Sequence, residues 1–365
     1  MLRVWLASGQ QLAAVPVEKV QNVLSLKQHL QGICGLPRFR QRLLGDGISL
    51  ADDVELESPM DLQLVLLHFS CASLEQADEL QSAAKHNFVS KVEEVLYRPQ
   101  DPDLRGIAGE SALYIASERG HLEVVRLLLE AGASKDVICG RWTRLTPLGV
   151  ASREGHREVV MLLLAGGSGG VDRERRDRGD REASPLYLAS LRGHADVVRL
   201  LLQAGADKDE AFVFTYFQCD PDQLVCSEVT STQTPLGVAS REGHTEIAHL
   251  LLAAGADRNT GAGRHDETPL YLASEQGHIE IVRLLVMAGA AKDKCSGPWG
   301  KTPIRIACSR GHVEIVRLLL RAGANIDDCS LEDVFTSDKE EDIRRLLIDA
   351  KKATVSSGKN VATNF

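Results

Sequence analysis

Six histidines stand directly behind a glycine in this chain: His121, His156, His194, His244, His278 and His312. Histidine moves protons near neutral pH, so these are the first candidates for acid–base chemistry. A reaction centre needs one site, however, and a residue that returns once per repeat reads as a turn element. Eight cysteines (Cys34, Cys71, Cys139, Cys219, Cys226, Cys295, Cys308 and Cys329) lie scattered with no C-x-x-C pair. That reads as reduced thiols of a cytoplasmic or nuclear protein. Cys219 and Cys226 share one loop, but no histidine or second cysteine pair stands beside them, so a zinc site is the minor reading. Gly166–Gly170 lacks the following Lys-Ser/Thr and the preceding strand of a phosphate loop. Acidic residues fall mostly in caps and first turns. The expectation is a chain that is not an enzyme, with no catalytic, metal or cofactor set.

The histidines close a recurring phrase. Thr146–His156 and Thr234–His244 both read TPLGVASREGH, and looser copies occupy Ser111–His121, Ser184–His194, Thr268–His278 and Thr302–His312. Each runs into an apolar segment ending in Ala-Gly or Gly-Gly, such as Glu123–Gly132 and Glu314–Gly323. Ser or Thr suits an N-cap, and Pro suits the first helical position, where no N–H donor is needed. The Gly of Gly-His permits the left-handed turn that stops a helix. A second helix then starts near the His, with an acid in its first turn that suits the helix dipole. Its Val-Val-x-Leu-Leu-Leu core must be buried on more than one side. The Ala of each first helix (Ala116, Ala151, Ala189, Ala239, Ala273, Ala307) lets backbones approach closely. Such a pair cannot bury its faces alone, and a period in the thirties marks a stacked helical solenoid.

The phrase T-P-L-x-x-A, G-H, E-V-V-x-L-L-L, A-G-A resembles the ankyrin repeat. The family's usual His after T-P-L, which braces the turn between repeats, is here Tyr114, Gly149, Tyr187, Gly237, Tyr271 and Arg305. The Tyr/Gly alternation suggests duplication of a two-repeat cassette. Full repeats are expected to start near 110, 145, 183, 233, 267 and 301, inside a solenoid over 74–352. Leu74–Lys85 and Phe88–Leu96 read as an atypical first pair, with Gln76, Asp78, Glu79, Gln81 and Lys85 giving one face the polarity of a cap. Leu331–Lys352 reads as the closing cap, with Val334, Ile343, Leu346, Leu347 and Ile348 beneath it. Residues 353–365 lack a helical pattern and are expected to be a disordered tail.

Residues 1–69 follow another grammar. Leu2, Val4 and Leu6 alternate as in a strand, and Leu12–Val17 completes a hairpin. Val23, Leu26, Leu30 and Ile33 keep helical spacing, and Gly35-Leu36-Pro37 ends that helix. Gln41–Leu44 is a short strand, Gly45-Asp46-Gly47 a turn and Asp61–Leu67 a last strand. This order resembles ubiquitin, with Ser25–Leu44 (SLKQHLQGICGLPRFRQRLL) and Asp61–Leu67 (DLQLVLL) as the closest stretches. The resemblance implies a small α+β β-grasp domain. Leu67 runs into His68-Phe69-Ser70 rather than a di-glycine, so the domain is expected to be built in rather than conjugated. Ubiquitin's receptors grip an apolar patch, and the matching positions are Leu44 and Val65, with Gln63 where the family has His. The alternative is that these are sheet residues covered by the solenoid. His68–Ser73 is too short for a flexible tether.

Two insertions break the repeats, over 167–183 and 209–232. The first contains Val171–Glu182 (VDRERRDRGDRE), with five acids and five arginines, and reads as a solvated link. The second contains Ala211–Gln218 (AFVFTYFQ) and Leu224–Thr232 (LVCSEVTST), two strand-like runs about the turn chemistry of Cys219–Gln223. They predict a hairpin lengthening one of the loop fingers that ankyrin-like arrays project. Phe212, Phe214, Tyr216 and Phe217 are its candidate binding anchors, because a two-stranded ribbon has little core. The alternative is that they fold down and cover neighbouring apolar surface.

Net charge is −9 with no dense Lys/Arg stripe, which argues against nucleic acid as the main partner. No apolar run reaches membrane-spanning length, and the first ten residues alternate rather than forming a signal core. Cytoplasmic or nuclear placement is therefore expected. The readings that follow are a non-catalytic adaptor holding a protein client and ubiquitin-system receptors, or a signalling or cytoskeletal scaffold in which the β-grasp domain is only a cap, with an enzyme such as a ligase or transferase fragment the least favoured.

Overall fold

The computed structural model describes the chain except residues 70–72, 141–143, 166–182, 220–225, 264, 298–299, 327–339 and 360–365. The first inserted link, the hairpin's turn, Val334, Cys71 and Cys329 therefore lie outside the described residues. The chain divides into two compact units, Met1–Ala151 with Glu158–Gly169, and Ser152–Arg157 with Gly170–Phe365.

The first unit opens with β1 (Leu2–Leu6), β2 (Gln11–Val15), α1 (Val23–Cys34), β3 (Gln41–Gly45), β4 (Ile48–Ser49) and β5 (Asp61–Leu66). The sheet order is β2-β1-β5-β3-β4, with β1 and β5 parallel and the other pairs antiparallel. This is a β-grasp order and is compatible with a ubiquitin-like domain. Period-two alternation puts Leu2, Val4, Leu43, Leu62 and Leu64 inward, where Val23, Leu26 and Leu30 of α1 meet them. Asn22 and Ser25 form a reciprocal capping box at the start of α1, and Gly35 ends it in the left-handed region at φ 70°.

Two helix pairs follow, α2 (Leu74–Lys85) with α3 (Val89–Leu96) and α4 (Ala112–Arg119) with α5 (Leu122–Glu130); α6 (Pro147–Glu154) and α7 (Arg157–Leu164) form the next. Gln81 is not part of a polar outer face. It is 7% exposed and donates its side-chain N–H to the Glu110 carbonyl at 2.7 Å, because the segment after α3 folds back along α2.

The second unit holds α8 (Pro185–Arg192), α9 (Ala195–Gln203), β6 (Phe212–Cys219), β7 (Cys226–Gln233), α10 (Pro235–Glu242), α11 (Thr245–Ala253), α12 (Pro269–Gln276), α13 (Ile279–Met287), α14 (Pro303–Arg310), α15 (Val313–Arg321) and α16 (Glu340–Lys359). Each first helix is capped as its sequence predicts. Ser184, Thr234, Thr268 and Thr302 accept a hydrogen bond from the amide three residues on, and Gly193, Gly243, Gly277 and Gly311 end the helix at φ 75–87°. The six alanines of the first helices are fully buried.

The closing helix differs from expectation in two ways. It reaches Lys359, past the 352 boundary, because a helix can continue beyond the end of its apolar stripe. Ile343 and Leu347 are buried, but Ile348 is 41% exposed, since one residue beyond Leu347 the helix has turned about 100° away.

Candidate protein-interaction surfaces

On the β-grasp sheet, Leu43 pairs with Leu64 facing α1, so their neighbours face the other way. There Leu44 lies opposite Gln63 and Arg42 opposite Val65, and the parallel β1–β5 register adds Trp5 beside Gln63. Leu44 and Val65 are half-buried, while Arg42 and Gln63 are exposed. A shallow hollow of about 270 Å³ beside Leu44 is lined by Trp5, Gly47, Asp61 and Gln63 among others, all from this domain. Trp5 donates its indole N–H to Asp61 at 3.4 Å. The structure thus brings Leu44 and Val65 onto one face and adds Trp5, whose place on it follows only from the parallel register.

A different rim of the domain is taken up by the helices. Arg38, whose side chain is 6% exposed, is bonded by Asp52 at 2.9 Å, Glu93 of α3 at 3.1 Å and Glu130 of α5 at 2.9 Å. Tyr97 donates its hydroxyl to Asp52 at 2.7 Å, and Lys27 pairs with the other Asp52 oxygen at 2.6 Å. Phe39 meets the Tyr97 ring edge-on at 5.2 Å. Burial opposes ionisation of Asp52, but hydrogen bonds from Lys27 and Tyr97 outweigh it and hold the carboxyl below the usual carboxylate range. For Tyr97, burial and then its bond to Asp52 push the phenol up, so it remains a donor. Sequence reasoning missed this hub: Arg38 finds its partners 14, 55 and 92 residues away, and no periodicity connects them.

The Gly-His histidines join one helix pair to the next. His194 Nε2 lies 3.0 Å from the Arg153 carbonyl, His244 3.3 Å from Leu191, His278 3.0 Å from Arg241 and His312 3.1 Å from Glu275. A carbonyl only accepts, so Nε2 carries the proton in each. In the first unit His121 makes the same bond to Lys85 at 3.2 Å. Each of these imidazoles is committed to bracing a neighbouring pair.

The inserted finger is a two-stranded ribbon in continuous antiparallel register from Phe212 opposite Gln233 to Cys219 opposite Cys226. Phe212, Phe214 and Tyr216 share one face, and Phe217 shares the other with Val213 and Thr215. The four expected anchors therefore divide three and one. At the base Phe212 is half-buried, with its ring 5.0 Å from Tyr187, and Tyr187 donates its hydroxyl to Gln233 at 2.8 Å. Tyr187, in place of the expected bracing His, thus holds the root of its own finger. Tyr271 plays a related part: a Cβ on Gly297 (φ 78°) would fall 2.3 Å from its hydroxyl, so glycine is required at that turn. Burial pushes the Tyr271 phenol up to about 12.

Among the described residues no group of three or more His, Cys, Asp or Glu is placed to hold a metal ion, and no helix is long and apolar enough to cross a membrane.

Comparison with known proteins agrees with this architecture. A family model described as ankyrin repeats (3 copies) matches residues 80–177, 132–212, 210–294 and 236–330, more than half of the chain. Among solved structures, the crystal structure of the human ASB11 ankyrin repeat domain matches with a TM-score of 0.51 and 24% identity, over 65% of this chain and 98% of that one. At that identity the likeness concerns the fold. Comparison with curated proteins gave no match. With caps, paired helices, Gly-His joints and family match in agreement, the chain belongs to the ankyrin-repeat family.

Proposed function

We propose that this chain is a non-catalytic adaptor whose repeats hold a protein client while its ubiquitin-like domain engages receptors of the ubiquitin system through the face of Leu44 and Val65. Ankyrin repeats serve as protein–protein interaction modules, which supports the first half. The second half rests on one observation: the solenoid takes the Arg38 rim, and the Leu44–Val65 face with Trp5 borders a hollow lined only by its own domain. The hairpin carries the client anchors in this reading, with Phe214 and Tyr216 on the face of Phe212, and Phe217 on the reverse. The scattered cysteines support a cytoplasmic or nuclear setting.

The test is binding of the full chain to immobilised ubiquitin-binding domains. Leu44→Ala with Val65→Ala should abolish capture at unchanged melting temperature. Equal capture by the variant ends the receptor reading. The Arg38 network favours a second reading, in which the β-grasp domain is an N-terminal cap of a scaffold; failure of the wild-type chain to bind any such domain would select it.

A further inference from the structure

We propose that Cys219 and Cys226 form a reversible cross-strand disulfide that locks the distal end of the inserted hairpin, a redox-modification site independent of the adaptor reading. The two residues are direct partners at the last position of the β6–β7 register. The pairing type follows from the other end of the ribbon. The Thr232 carbonyl accepts the Gly263 amide, from the finger that follows, so the Thr232 backbone groups point away from β6. Val213 and Thr232 are therefore a non-hydrogen-bonded pair. The register is continuous, so the pairs alternate, and counting six steps from Val213 makes Cys219 with Cys226 non-hydrogen-bonded as well. At such sites Cα atoms lie about 4.5 Å apart and both residues share one face, which is inside the ~4.4–6.8 Å range that a disulfide spans. Neighbouring pairs are hydrogen-bonded and hold their Cα atoms farther apart, about 5.5 Å.

The reaction is thiol–disulfide exchange with a low-molecular-weight disulfide of the glutathione type. One cysteine thiolate attacks the disulfide, forming a mixed disulfide and expelling one thiol. The second thiolate then attacks the protein sulfur of that bond and expels the second thiol. The protein loses two protons and two electrons, and the small disulfide takes up both as two thiols. Because exchange runs in both directions, the bridge suits a compartment where disulfides are transient.

Trypsin releases Asp209–Arg241, which holds both cysteines and no other. The full chain is equilibrated with mixtures of reduced and oxidised glutathione, acid-quenched, denatured, alkylated and digested. The expected product is that peptide two hydrogens lighter and free of alkyl groups, while the peptides of Cys34, Cys139, Cys295 and Cys308 stay alkylated. Amide exchange over 212–219 and 226–233 should slow at least ~10-fold on oxidation. Cys219→Ser should leave Cys226 as a mixed disulfide with glutathione. The double change Cys226→Ser with Ser227→Cys moves one thiol to the opposite face at nearly the same loop length. It should bridge at least ~10-fold less readily. Equal bridging by that variant, or a wild-type peptide carrying glutathione on single cysteines in place of the internal bond, would overturn the proposal.

Discussion

Arg38 carries three acidic partners while almost fully out of water, and Asp52 is held by Lys27 and Tyr97 as well. Removing one member of a buried pair leaves the others uncompensated. Arg38→Met should destabilise the first unit by about 2–4 kcal/mol, read by thermal melting. The pH dependence has a definite sign. The Asp52 carboxyl is held below its unfolded value, so its contribution is complete above the ordinary carboxylate pKa and disappears as pH falls through the lower folded value. Below pH ~4 the native chain should lose stability faster than Asp52→Asn, with no difference between them in slope from pH 6 to 8. Equal slopes in acid would remove Asp52 from the account. A second residue-scale feature is the serine of each first helix. Ser117, Ser152, Ser190, Ser240 and Ser274 bury a hydroxyl oxygen with no hydrogen-bond partner among the described residues, and Cys308 holds the equivalent place in the sixth repeat. An unsatisfied buried hydroxyl costs about 1 kcal/mol or more, so Ser240→Ala should raise the melting temperature by roughly 2–4 °C. A drop would reveal a bonded hydroxyl.

At the scale of elements, a glycine at a helix end can be required for two separable reasons. Gly205 (φ 87°) has nothing near its missing Cβ, whereas a Cβ on Gly243 (φ 85°) would meet His278 at 2.6 Å. Gly205→Ala should cost about 1 kcal/mol for conformation alone, and Gly243→Ala about 2–4 kcal/mol, because the imidazole must leave the Arg241 carbonyl. Equal losses in denaturant melts would show that the histidine joint contributes little. The capped helices were legible because their signals are local: an N-cap hydroxyl meets an amide three residues on, and Gly-His follows one short helix later. The hairpin was legible from β-branched and aromatic composition, and its strands fall close to the expected runs. The division of its aromatics was also present in the odd or even parity of 212, 214, 216 and 217, but composition hides parity. The Arg38 hub, Trp5 on the outer face and the Cys219–Cys226 pairing needed register or tertiary contact, which nothing local encodes.

For the whole molecule, the N-terminal domain and the helix pairs follow different periods yet meet through charge and ring contacts. A stack of near-equivalent pairs holds each member only by its neighbours, so it unravels from its ends. The β-grasp domain sits on such an end, with Arg38 reaching both α3 and α5 and Pro37 lying against Gly132. It therefore acts on the solenoid as a ferrule does on a rope. Trimming residues 1–69 does not yield the same solenoid minus a module. It leaves Glu93 and Glu130 without their cation, Tyr97 without its acceptor, and the first pairs free to fray. Amides of α2 and α3 should then exchange at least ~10-fold faster than in the full chain, while those of α12 and α13 keep their rates. Loss of client binding in such a trimmed chain would report a frayed end as readily as a missing contact.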